Sequence, residues 1–236
     1  MTDKPKLLEL AKEHGTPILV IDHDIIRENF RKFSKNLPRV KPYFAIKANP
    51  EAQIVKTLYD LDSNFDVASW EEFMIVYNAI KGSKEKKKRF MNEKVIYANP
   101  VKRIDSLKKL NNYLLQMTFD NYVEIEKISN YCNNSRLILR IDVPNIGSVV
   151  ELSTKFGAPH NICIDLIKHA NKMGFKVEGL SFHVGSQCSN FNNYVEAFKI
   201  ARDIFDQAER IGNRLSILDI GGGFPVPYEE NTPSFE

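Results

Sequence analysis

Short apolar runs of β character alternate along the chain with stretches whose apolar residues return every three to four positions. Residues 42–46 (PYFAI) read as a strand, and residues 51–61 follow as a helix with Ile54, Val55, Leu58 and Leu61 on one face. Further strands are predicted at 65–68 (FDVA), 94–98 (KVIYA), 116–119 (QMTF), 137–141 (LILRI), 176–183 and 215–220. Helices are predicted between them at 69–81, 101–111, 121–132, 163–173 and 194–211. Ser69 with Glu72 three residues later is a capping box and marks one helix start. Upstream, residues 18–22 (ILVID) are another apolar β-rich run, and residues 24–36 form a helical pattern with Asp24 as its N-cap candidate.

Repeated strand–helix units with short loops predict a parallel sheet covered by helices. Leaving residues 18–22 aside, seven strands can be counted, one short of a (β/α)8 TIM-type barrel. A doubly wound open sheet is the alternative, but no G-x-G-x-x-G opens the first helix, which weakens a dinucleotide-binding reading. Two segments break the rhythm. The connection at 142–159 is unusually long, and residues 81–89 (KGSKEKKKR) read as a solvated loop rather than a nucleic-acid patch.

Composition narrows the function classes. The chain has 236 residues, 43% hydrophobic and 27% charged, which is ordinary globular usage. A surplus of 33 Lys and Arg over 30 Asp and Glu is too small to argue for a nucleic-acid partner. Cys132, Cys163 and Cys188 are far apart, so neither a disulfide framework nor a metal site is expected. No apolar run approaches the ~18–20 residues of a membrane helix, and the polar N-terminus has no signal-type apolar region, so a cytoplasmic protein is expected.

In a parallel barrel, chemistry sits where strands end at the C-terminal face. Lys47 follows PYFAI, Asp66 lies in FDVAS, Arg140 is near the end of LILRI, His183 and Ser186 lie where the strand at 176–183 ends, and Gly221, Gly222 and Gly223 end LSILDI. Each has an ordinary alternative: a solvated lysine, a helix cap at Asp66, a structural ion pair at Arg140, a core histidine, a tight turn before Pro225. Their coincidence on one rim favours a site. The apolar flanks Ala45, Ile46 and Ala48 predict a partly buried Lys47, a candidate nucleophile for carbonyls. Three glycines after a strand expose backbone N–H groups suited to a phosphate. Together they suggest a phosphorylated aldehyde cofactor, pyridoxal phosphate (PLP), with His183 as a stacking face for its ring.

The ordered motifs PYFAIKANP (42–50), FDVASWEE (65–72), IYANPVK (96–102), LILRI (137–141), STKFGA (153–158), SFHVGSQ (181–187) and LDIGGGFP (218–225) make the chain resemble the fold-type III, PLP-dependent amino-acid decarboxylases. That family acts on ornithine, lysine, arginine or diaminopimelate, and the motifs resemble its ornithine branch most. The resemblance implies an alanine-racemase-like barrel and decarboxylation of a basic amino acid, with L-ornithine to putrescine in polyamine synthesis foremost. It implies Lys47 as the lysine that bonds the cofactor, His183 stacked on its ring, Ser186 and the three glycines on its phosphate, and Asp66, Glu72 and Arg140 as the surrounding polar network. It also implies a homodimer with Lys155 at the interface, a possible antizyme-type regulator, and no nucleic-acid or membrane partner. Residues 1–23 would carry a strand of a second, β-rich domain, and residues 24–236 the PLP-binding barrel, with the C-terminal β-domain and the eighth strand absent. Two other readings stay open: a non-catalytic regulator like the antizyme inhibitors, and a barrel-only PLP-binding protein.

Overall fold

The computed structural model describes residues 4–146 and 155–228. Among them, seven strands pair in parallel and in sequence order: β1 (Tyr43–Ala45), β2 (Asn64–Val67), β3 (Val95–Tyr97), β4 (Gln116–Phe119), β5 (Arg136–Arg140), β6 (Val177–Ser181) and β7 (Ile217–Asp219). The helices are α1 (Lys4–His14), α2 (His23–Asn36), α3 (Ala52–Asp60), α4 (Trp70–Ala79), α5 (Lys84–Lys94), α6 (Ile104–Leu110), α7 (Tyr122–Tyr131), α8 (Cys163–Lys172) and α9 (Asn192–Arg210). Strictly sequential order with helical crossovers is barrel topology; a doubly wound sheet would reverse direction at a switch point.

Strand alternation sorts residues to two faces. Phe65, Val67, Met117, Phe119, Leu137 and Leu139 pack outward with Phe73, Leu107, Ile125 and Leu166 of the helices in one core. Ile96 and Ile138 are buried too, yet stand apart from that core. They face inward with their neighbours in register: Asp66 opposite Ile96, and Arg140, Ser181 and Asp219 in one row across β5, β6 and β7. The sheet curls on itself, because Tyr43 of β1 and Asp66 of β2 both feel the charge of Asp219 on β7, at the far end of the ladder. The result is an incomplete barrel of seven strands with a largely polar upper interior. Its edges are more open than its middle: Tyr43 and Leu218 are each 37% exposed.

Residues 18–22 join no strand ladder among the described residues, and Leu19 is 86% exposed there. Three expectations need correction. The cap of α2 is Asp22, not Asp24: the Asp22 carboxylate accepts the Asp24 N–H at 2.9 Å. Most of residues 81–89 is helical rather than looped. Ser83 caps α5 by accepting the Lys86 N–H, Arg89 pairs with Glu93 one turn on, and only Met91 is buried. The helix expected from residue 101 begins at Ile104, since Pro100 and the Lys102 contacts hold the preceding turn. Part of the long connection (147–154), with part of STKFGA, and residues 229–236 lie outside the described residues.

Candidate active site

Lys47 stands in the 3-10 turn Ile46–Ala48 that leaves β1. Such a turn rotates successive residues by about a third of a circle, so neighbours face different ways. Ile46 is fully buried whereas Lys47 is exposed, which corrects the expected part-burial: one apolar flank anchors the turn without covering the lysine. Lys47 remains within electrostatic reach of Asp66 and His183.

Asp66 is held by the ladder of β2 and is half-buried. Burial pushes its carboxyl up to about 7; Lys47 opposes the rise, and Asp219 and Glu72 add to it. Glu72 completes the capping box with an offset. Ser69 Oγ accepts the Glu72 N–H at 3.1 Å, while Glu72 Oε2 accepts the N–H of Ala68, one residue before the cap, at 2.7 Å. Glu72 therefore both fixes the start of α4 and adds negative charge beside Asp66.

Arg140 ends β5, its guanidinium over the Phe156 ring with the carbon 5.1 Å from the centroid. Burial pulls its pKa down, and Asp120, Asp219 and Asp66 counter that pull. His183, two residues beyond β6, accepts the Gly185 N–H on Nδ1 at 2.9 Å, so the neutral ring carries its proton on Nε2. Burial, with Arg140 and Lys47 nearby, lowers its pKa to about 4. The imidazole is therefore neutral at physiological pH. Ser186 is exposed three residues later.

The glycine turn follows β7 and lies against the chain leaving β6. A Cβ on Gly221 would sit 2.3 Å from the Phe182 carbonyl oxygen, and one on Gly223 would sit 2.2 Å from that of Gly185; both residues have positive φ. Gly222 differs: its Cβ would meet only His183 Nε2, at 4.0 Å. The Gly222 carbonyl accepts the Tyr194 hydroxyl and the Gly223 carbonyl accepts the Cys188 N–H, both at 2.8 Å. Asp219 Oδ1 accepts the Gly221 N–H at 2.8 Å. Among the described residues the N–H groups of Gly222 and Gly223 have no acceptor.

Three participants escaped sequence reasoning. Asp219 was signalled only by an Asp two residues before a glycine, the spacing of an Asx turn. Asp120, at the exit of β4, accepts the Gly157 N–H on Oδ2 at 3.0 Å and lies near Arg140. Lys102 of IYANPVK is buried in the turn after β3, and nothing in its proline-flanked motif signals burial.

Two unclaimed backbone N–H groups, a neutral imidazole beside them and an accessible amine on the same rim suit a phosphorylated aldehyde with a planar ring. The class so defined is a parallel-barrel binding site for such a cofactor. The family model described as pyridoxal-dependent decarboxylase, pyridoxal binding domain, matches residues 23–236. The lysine/ornithine decarboxylase of Selenomonas ruminantium is 42% identical over 220 residues, covering 92% of this chain and 53% of that protein. Antizyme inhibitor 2 of Xenopus laevis is 41% identical over 203 residues, 86% of this chain and 42% of that protein. The lysine decarboxylase of Selenomonas ruminantium, solved as a variant in complex with PLP, superposes with a TM-score of 0.88 at 39% identity, over 96% of this chain and 57% of that one. The chain belongs to the pyridoxal-dependent decarboxylases, and pyridoxal phosphate is the cofactor of that family. It spans about half the length of the curated relatives it matches. Among the described residues no helix is long and apolar enough to cross a membrane.

Proposed function

We propose that this chain is the cofactor-binding barrel of a cytoplasmic PLP-dependent decarboxylase of basic amino acids, with L-ornithine to putrescine as the leading reaction. Residues 24–236 form the cofactor-binding unit in this reading, and residues 1–23 a separate segment. The observation that carries it is the convergence of Lys47, His183 and the glycine turn on one rim.

When bound, PLP takes up the electron pair left as the α-carboxylate departs as CO2. Lys47 supplies the amine that bonds the aldehyde, and its exposure lets it reach an incoming ligand. Asp66, titrating near neutrality beside it, can hold the proton that the amine must shed. The Gly222 and Gly223 N–H groups and the Ser186 hydroxyl bind the phosphate. His183, uncharged, offers a flat ring face without repelling a pyridinium. Glu72 and Arg140 tune the charge around Asp66 and Lys47. A homodimer with Lys155 at its interface, and an antizyme-type regulator, belong to the same reading.

Titrating the 236-residue chain with PLP tests it. The expected result is a visible absorbance band from a lysine-bound aldehyde, lost in Lys47→Ala. A folded sample with no such band overturns the reading. Release of CO2 from ornithine, lysine, arginine and diaminopimelate then ranks substrates. A relative named antizyme inhibitor favours a second reading, a non-catalytic regulator; binding to an antizyme-type partner without a cofactor band would support it.

A further inference from the structure

Asp219 ends β7 in the inward row with Ser181 and Arg140, and among the described residues its carboxyl is the one side chain that bonds to the backbone of the glycine turn's first residue. Among the described residues the turn is otherwise fastened only through carbonyl oxygens: Gly222 by the Tyr194 hydroxyl and Gly223 by the Cys188 N–H. The Asp219–Gly221 bond therefore decides which N–H groups remain for an anion: Gly221 is consumed, whereas Gly222 and Gly223 are left. It also sets the approach of the turn to its neighbours, since Gly221 lies so close to the Phe182 carbonyl that a Cβ would overlap it. Arg140 lies near enough to offset the negative charge that Asp219 places beside an anion site. In the same row the Ser181 hydroxyl, on a residue 4% exposed, has no partner among the described residues, so β6 leaves Asp219 to the turn.

We propose that Asp219 is a positioning residue of the phosphate turn: by holding Gly221 it presents the N–H groups of Gly222 and Gly223 to the cofactor's phosphate. This rests on the PLP reading above. An anchor of this kind acts on the phosphate and not on the aldehyde or the ring.

The test compares PLP with pyridoxal, the same molecule without its phosphate, by titrating each variant and following the lysine-bound absorbance. Asp219→Ala is expected to weaken PLP about tenfold, the scale of one lost anchoring hydrogen bond, with pyridoxal affinity unchanged. Asp219→Asn keeps an acceptor for Gly221 and should restore PLP affinity to within about threefold of the parent. If Asp219→Ala does not fold, Asp219→Glu, which displaces the acceptor by one carbon, takes its place with the same selective loss. An equal loss for both ligands, or no loss for PLP, overturns the assignment. Absence of the band with both ligands in the parent chain overturns the cofactor reading itself, and the inference with it.

Discussion

Asp66 of β2 and His183 at the exit of β6 both feel the charge of Lys47, and burial drives their titrations in opposite directions. Burial raises the Asp66 carboxyl from 3.8 to about 7, so its contribution to stability is present at low pH and is lost as pH rises through that window. The His183 imidazole falls from 6.5 to about 4, so the unfolded chain binds the proton more readily and stability grows as pH rises from 4 to 6.5. In the parent chain the two slopes offset each other over most of this range. Asp66→Asn should leave a stability that rises with pH, and His183→Gln one that falls, each by about 1–3 kcal/mol. Denaturant unfolding without cofactor, between pH 4 and 7, checks both, and parallel profiles for the two variants would contradict the assignment. The residue types of this site were legible because each lies in a motif at or just beyond the end of a strand. Exposure of Lys47 was not, since apolar flanks do not report which way a 3-10 turn rotates. Asp219 was hidden by its place inside an apolar strand, where it reads as an interruption and not as an acceptor for a turn two residues later.

At the scale of elements, the junction of β3, β4 and α7 depends on one buried pair. Lys102 Nζ donates to the carbonyls of Asn99 at 3.0 Å, Pro100 at 3.3 Å and Thr118 at 2.5 Å, and pairs with Glu124 at 3.0 Å. Glu124 in turn accepts the Lys102 N–H at 3.1 Å and a second cation, Lys127, at 2.5 Å. Carbonyls of β4 and of the turn after β3 are thereby satisfied by one buried side chain, close to the rim that carries Asp120 and Arg140. Burial lowers the Lys102 pKa to about 8, with Glu124 resisting the fall, so the ammonium is mostly charged at neutral pH. Lys102→Met removes the cation but leaves three carbonyls and a buried carboxylate, at an expected cost of about 3–5 kcal/mol. Lys102→Met with Glu124→Leu should cost less than the sum of the two single changes, measured as a double-mutant cycle in urea. Helix α5 teaches a related lesson about reading. Its stability comes from a Ser83 cap and an Arg89–Glu93 pair, with Met91 alone buried, so no apolar stripe distinguished it from a charged loop.

For the whole molecule, sequential strand order was legible because each strand–helix unit closes locally, whereas the curl of the sheet was not, because it rests on pairs between residues far apart in the chain. That curl leaves β1 and β7 as the two edges of the ladder. Both edges carry half-exposed apolar side chains, and residues 18–20, which join no ladder among the described residues, add Ile18 at 38%, Leu19 at 86% and Val20 at 37% exposure. Open strand edges and exposed aliphatic residues are templates for association with another chain. The isolated chain is therefore expected to associate at micromolar concentration, giving a sedimentation coefficient that rises with loading. Leu19→Lys with Val20→Lys places charge on this run and should shift the distribution toward monomer, with little change in far-ultraviolet circular dichroism. A monomeric parent with a sharp, reversible melt would show that these edges are protected in solution, and would remove the physical reason to expect pairing there.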